Sequence, residues 1–223
     1  MQIDNHMKKK IIITGGLGYI GTELCKIYSG VSWHHKIIVI DNRFISERVS
    51  QIRNWNMEFV HGDILEKDLV NKYFKDADIV HHLAGITDVP RTKSDSNAHI
   101  DEKIKLVGEK GTQNILDAIS KKCKIIFPST HVVYEGINEV KTDIKEDEIL
   151  KPVLSYSSSK AINENQLKKS GKNYIILRLG SVYGFSTDSM RIDIMPNLFS
   201  KISSQNGCLL YTSDAADEED SVD

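Results

Sequence analysis

The chain is short of everything that would mark a membrane, disulfide-rich, metal-binding or nucleic-acid-binding protein. It has three cysteines in 223 residues, Cys25, Cys123 and Cys208, without pairing or metal-ligand spacing, which suits a reducing cytoplasm rather than a secreted disulfide scaffold. No apolar run approaches the roughly 18 residues that a spanning helix needs, and the basic start from Met1 to Lys10 lacks the apolar core of a signal peptide. Met7 reads as the start of the protein and Met1 to His6 as an upstream extension. Neither sign of charge dominates, the formal balance being −2, and lysine pairs such as Lys121-Lys122 and Lys168-Lys169 fall at helix ends, where cations suit the dipole. No interleaved basic and aromatic pattern speaks for nucleic acid. His34-His35 lies in a predicted loop and His81-His82 must point to opposite faces of a strand, so no metal is expected. There is no internal repeat.

What the chain does have begins at Lys9. Lys9-Lys10-Ile11-Ile12-Ile13 is a short buried strand, Thr14-Gly15-Gly16-Leu17-Gly18-Tyr19-Ile20-Gly21 is a glycine turn, and a helical pattern follows. The first glycine of such a loop permits the tight turn, the second lets a pyrophosphate approach bare backbone, and the third lets helix and strand pack closely. The helix start adds N–H groups and partial positive charge. A second buried strand, Lys36 to Ile40, ends at Asp41, which lies 20 positions after Gly21, the interval at which an acid meets the adenosine ribose of a dinucleotide. A carboxylate there accepts the two ribose hydroxyls and repels a 2′-phosphate, so NAD is favoured over NADP, although Arg43 nearby offers a cation to the latter.

The remainder alternates strand and helix. The predicted elements are a helix over 46–54, a strand over 57–60, a helix over 66–74, a strand over 79–84, a long helix over 97–120, a strand over 124–127, a helix from about 155 and a strand over 173–179. Short apolar strands between amphipathic helices define an α/β fold, a doubly wound parallel sheet with helices on both faces. A further helix is expected within 188–205. Ligands of such sheets bind beyond the carboxyl ends of the strands, where Asp63 with Ile64, then Ala84 and Gly85, then Ser129 and Thr130 follow successive strands. Asp63 is placed to accept the adenine amino group, and the small Ala84 and Gly85 leave room for the cofactor backbone.

Tyr156 and Lys160 open the helix after the fifth strand, one turn apart on one face. A phenol with a pKa near 10 is a poor base at neutral pH. Lowering it by about three units takes roughly 4 kcal/mol, which an ammonium about 4 Å away supplies at an effective dielectric near 20.

Over residues 8 to 200 the chain resembles the extended short-chain dehydrogenase/reductases of the NAD-dependent epimerase/dehydratase family. The resemblance rests on Thr14 to Gly21, Asp41, Gly62-Asp63, His82-Leu83-Ala84-Gly85, Gly111-Thr112 with Asn114 to Leu116, Ser129-Thr130, Tyr156 to Lys160, and Arg178 with Val182-Tyr183-Gly184. It implies a Rossmann-like sheet, Tyr156 as general base, Thr130 as the hydroxyl bonded to the substrate oxygen, and Lys160 as the residue that holds the nicotinamide ribose and lowers the tyrosine pKa. The dinucleotide falls to Gly15, Gly18, Tyr19, Ile20, Asp41, Asn42, Asp63, Ile64, Leu83, Ala84 and Gly85, together with Tyr156 and Lys160. The implied substrate is a nucleotide-sugar, and the implied assembly a homodimer through helices 97–120 and 155–170.

Departures from the family pattern narrow the chemistry. His131 and Val132 stand where dehydratases and decarboxylases carry an acid, so epimerisation or reduction is preferred to dehydration, with a non-catalytic dinucleotide-binding role as a further alternative. Gly108 and Ser181 replace residues that are often asparagine, and Glu135 reads as an extra residue lengthening a loop. His131 reads as a loop histidine near the site. The expected domains are 8–184 for NAD, 185–207 for the start of a largely missing C-terminal substrate region, and 208–223 for a tail in which Cys208 to Asp217 resembles translated transposase-adapter DNA. Deleting that tail's six acids turns the formal charge from −2 into +4.

Overall fold

A computed structural model describes residues 8–87, 97–186 and 189–205. The expected upstream extension and the expected adapter-like tail lie outside these. The chain divides into two compact units between Gly180 and Ser181.

In the first unit the elements run β1 (Lys10–Thr14), α1 (Tyr19–Ser29), β2 (Lys36–Asp41), α2 (Ser46–Asn54), β3 (Glu58–His61), α3 (Lys67–Phe74), β4 (Ile79–His82), α4 (Ala98–Lys105), a π-helical turn (Leu106–Lys110), α5 (Gly111–Ala118), β5 (Lys124–Thr130), a 3₁₀ turn (His131–Tyr134), α6 (Ser155–Lys169) and β6 (Asn173–Leu179). The six strands pair in the order β3-β2-β1-β4-β5-β6, every pairing parallel. Strand order reverses between β1 and β4, which makes that crevice the place where ligands of an open α/β sheet bind.

Period-two alternation sorts the strand residues onto two cores. Ile11, Ile13, Ile37 and Val39 pack with Cys25, Val49 and Ile52 of α1 and α2. Ile12, Ile38, Ile40, Val80, Ile125 and Phe127 pack on the other face with Val70, Phe74, Ile115 and Leu167. β6 has one neighbour, β5, among the described strands, and Tyr174, Ile175 and Leu177 on it are each more than a third exposed.

Three expectations need correction here. The strand expected over 79–84 ends at His82. The helix expected over 97–120 is interrupted by the π turn at Leu106–Lys110. At that turn α6 comes so close that a β-carbon on Gly108 would stand 2.3 Å from Ser159 Oγ. The amides of Asn163 and Gln166 donate to the carbonyls of Gly108 and Glu109, each at 3.1 Å, tying the widened turn to α6. β5 also runs on to Thr130, three residues past its expected end, because it keeps parallel register with β6 as far as Leu179.

The second unit contains α7 (Met195–Ser204), shorter than the expected stretch of 188–205. Pro196 explains the start, since proline without an N–H is tolerated in the first turn of a helix and not within it. Asn197 organises the residues before the helix: its side chain accepts from Gly184 N at 2.9 Å and donates to Arg191 O at 2.7 Å.

Candidate functional site

The glycine turn joins β1 to α1 at the reversal of strand order. Gly15 adopts φ +67°, and a β-carbon there would lie 2.8 Å from Ala84 N, so both conformation and space demand glycine. A β-carbon on Gly21 would meet Gly15 O at 2.3 Å, so this glycine lets the helix close onto its own loop. Tight packing of the loop on the strand falls instead to Gly16, whose β-carbon would stand 2.1 Å from Val39 Cγ1. At the helix N-cap, Gly18 has no side chain to bond the first-turn N–H groups, an arrangement suited to a phosphate.

Asp41, 5% exposed, stands at the tip of β2. Its Oδ2 accepts from Leu17 N at 3.0 Å and its Oδ1 from Arg43 N at 2.9 Å. The Arg43 guanidinium bonds the same carboxylate from the solvent side, Nε to Oδ1 at 3.2 Å. Asn42 Nδ2 donates to Asp63 Oδ2 at 2.9 Å, linking the ends of β2 and β3. Ile64 is buried under α5, and the carbonyls of Ile64 and Leu65 accept from Asn114 Nδ2 at 3.0 and 3.3 Å.

At the centre of the crevice the buried His82 bridges Thr14 and Thr112, Nδ1 to Thr14 Oγ1 at 3.1 Å and Nε2 to Thr112 Oγ1 at 2.9 Å. Thr14 Oγ1 accepts from Ala84 N at 3.0 Å. Burial, reinforced by the charge of Lys160, holds His82 down to about 3, so it stays a neutral connector of β1, β4 and α5 across the ordinary pH range. Leu83, Ala84 and Gly85 follow it, and a β-carbon on Gly85 would touch nothing within 4 Å.

On the far side of β4, Thr130 ends β5, nearly buried, and its Oγ1 accepts from Val132 N at 3.3 Å. Lys160 projects from α6 so that Nζ donates to Pro128 O at 2.8 Å. The ammonium lies 4.4 Å from the centre of the Phe127 ring and 5.8 Å from that of Tyr156. Its desolvation lowers the lysine to about 8. The sequence-assigned residues thus lie at the carboxyl ends of β1 to β5, the glycine turn and Asp41 on one side of β4 and Thr130, Lys160 and Tyr156 on the other.

Glu135 does more than lengthen a loop. Its Oε1 accepts from Val153 N and Leu154 N, each at 2.8 Å, and from Ser157 Oγ, so it caps the start of α6 just where Tyr156 sits. Burial raises the Glu135 carboxyl, but these donors outweigh it and hold the group below its ordinary value. His131 Nδ1 lies 3.2 Å from Leu179 O, tying the end of β5 to β6. The buried Glu164 escaped the sequence reading, although its place one turn beyond Lys160 on the same face would have marked it.

A doubly wound parallel sheet with a glycine turn, a helix start and an acid at the tip of the second strand defines a dinucleotide-binding α/β protein. Residues 11–218 match the model of the NAD dependent epimerase/dehydratase family, and the chain belongs to that family. It is 30% identical over 81% of its length to a dTDP-D-glucose 4,6-dehydratase of Dictyostelium discoideum, of which it covers 45%. It is 36% identical over 59% of its length to a CDP-paratose 2-epimerase of Salmonella typhi, of which it covers 40%. The UDP-glucuronic acid 4-epimerase of Bacillus cereus, solved with UDP-glucuronic acid and NAD, superposes with a TM-score of 0.69 at 26% identity, covering 90% of this chain and 64% of that one. The chain therefore spans under half the length of these two curated relatives and under two thirds of the solved one.

Proposed function

We propose that this chain is the NAD-binding and catalytic part of a nucleotide-sugar epimerase-type oxidoreductase. The observation that carries the reading is the ammonium of Lys160, held on Pro128 O between the rings of Phe127 and Tyr156 beside the strand that ends in Thr130. Gly15, Gly18, Tyr19 and Ile20 would hold the pyrophosphate, Asp41 the adenosine ribose, Asn42, Asp63 and Ile64 the adenine end, and Leu83, Ala84 and Gly85 the middle of the cofactor. The unadorned helix start and the buried acid fit such a group. When bound, NAD supplies the acceptor for a sugar hydride. Tyr156 takes the proton of the sugar hydroxyl, Thr130 bonds its oxygen, and Lys160 keeps the phenolate accessible and holds the nicotinamide ribose. Residues 8–184 form the NAD domain in this reading, 185–207 begin the substrate region, and the whole protein is a homodimer acting on a nucleotide-sugar.

Epimerisation is preferred to dehydration on the acids around Thr130. Elimination of water needs a further acid and base, yet His131 and Val132 follow Thr130, Glu135 is committed to the α6 cap, and Glu164 to an ion pair with Arg178. The test is an NAD titration followed by addition of UDP-glucuronic acid or UDP-glucose. The wild-type chain is expected to bind NAD saturably. Tyr156→Phe should leave that affinity within about threefold while the hydride step, carried in the same background, falls about a hundredfold or more. No saturable NAD binding sinks the reading, as does a parent that turns over the nucleotide-sugar together with a Tyr156→Phe variant that does so as fast.

A further inference from the structure

Behind the reacting groups lies an ionic network that the chemistry above does not use. Glu164 stands one turn beyond Lys160 and two beyond Tyr156, so all three share one face of α6. Its carboxylate is wholly buried. Oε1 accepts from Ser129 Oγ at 2.6 Å and from Arg178 Nε at 3.0 Å, and Oε2 accepts from Arg178 Nη2 at 2.7 Å. Lys168 approaches Oε2 at 3.7 Å. The remaining arm of Arg178 donates to the Tyr134 hydroxyl and, at 2.9 Å, to Glu146 O.

The pair therefore grips the chain on both sides of Thr130, at Ser129 directly before it and at Tyr134 in the turn after it. Lys160 makes the neighbouring contact, to Pro128 O, so one helix face bonds two consecutive residues of β5. Burial raises the Glu164 carboxyl, but the bonds from Arg178 and Ser129 outweigh it and keep the group ionised. Stability is a poor reason for such a pair. Removing two charges from water costs several kcal/mol per ion, and an apolar pair of equal volume often does as well. What an apolar pair lacks is direction: a bidentate guanidinium–carboxylate fork fixes distance and orientation together.

We propose that Glu164 and Arg178 are positioning residues that lock the Tyr156–Lys160 face of α6 in register with Thr130 at the end of β5. The proposal rests on the reading of those three residues given above. It is tested with the charge-neutral double variant Glu164→Leu/Arg178→Met, by pH-dependent competitive acetylation of individual lysines read by mass spectrometry, without NAD. In the wild type desolvation holds the Lys160 ammonium down to about 8. In the double variant the released ammonium is expected to reach water, and the pH midpoint of Lys160 labelling, which does not depend on reagent access, should rise by about one unit or more, with the circular dichroism of the fold retained. A Lys160 labelling midpoint that stays at the wild-type value in a folded double variant overturns the proposal. Ser129→Ala, which deletes only the strand contact, supplies the same test should the double variant fail to fold: an upward shift of the Lys160 labelling midpoint supports the lock, and no change overturns it. Failure of the wild-type chain to bind NAD would sink the functional reading by a separate measurement, while the NAD-free labelling decides the lock.

Discussion

Lys160 is expected to weaken the fold that carries it. Its ammonium is desolvated, and the folded-state value of about 8 lies below the 10.5 of an ordinary lysine. At about 1.4 kcal/mol per unit this corresponds to roughly 3 kcal/mol of opposition to folding while the group is charged. Lys160→Met removes that opposition but also gives up the bond to Pro128 O and the contact with Phe127, worth about 1 to 2 kcal/mol together. The variant should therefore be more stable than the wild type by about 1 to 2 kcal/mol at pH 7. The sign follows from proton counting: between pH 8 and 10.5 the unfolded chain binds more protons at this position, so wild-type stability rises with pH there. Below pH 8 the gap between variant and wild type is constant, and above it the gap closes. Urea unfolding at a series of pH values from 6 to 9.5 measures this directly. A variant less stable than the wild type at pH 7, or a gap independent of pH across the series, would refute the reasoning.

Two further predictions concern the frame of the site. Gly15→Ala forces a β-carbon against the Ala84 backbone at φ +67°, and should lower stability by about 1 to 3 kcal/mol in urea unfolding while weakening NAD at least tenfold in titration. Glu135→Ala removes the acceptor for two backbone N–H groups and Ser157 Oγ at the start of α6, for an expected loss of about 2 kcal/mol by the same assay. Because Glu135 has a lowered pKa, the charge-dependent part of its contribution is complete above the ordinary glutamate range and is lost as pH falls through the depressed value. The difference between wild type and variant should therefore shrink toward pH 3.

Much of this molecule is legible in one dimension because its local signals agree. Short apolar runs such as Ile11–Ile13 and Ile37–Ile40, separated by amphipathic stretches, set the strands and helices of the sheet, and glycine spacing with an acid after the second strand set its ligand-binding end. Helix 46–54 and strand 173–179 have the same bounds in sequence and structure; left-handed backbone at Asn56 (φ 57°) lies just after the helix and at Gly171 (φ 64°) just before the strand. The π turn at Leu106–Lys110 was not legible, because its cause is a partner distant in sequence: Ser159, Asn163 and Gln166 of α6 press on and bond to that turn. The extension of β5 to Thr130 likewise comes from its pairing with β6.

The sequence by itself determined the doubly wound sheet, the end at which a ligand binds, and the residue types able to perform proton and hydride chemistry there, since periodicity and backbone freedom are local properties. Only the tertiary structure decided what each polar side chain does. Glu135 and Glu164 are both acids in the same stretch of sequence, yet one caps a helix and the other is sealed in a fork with Arg178. His82 and Lys160 share a buried neighbourhood in which one is neutral and the other has a lowered affinity for its proton. Desolvation and hydrogen-bond direction depend on groups brought from dozens of residues away, and no spacing rule along the chain encodes them.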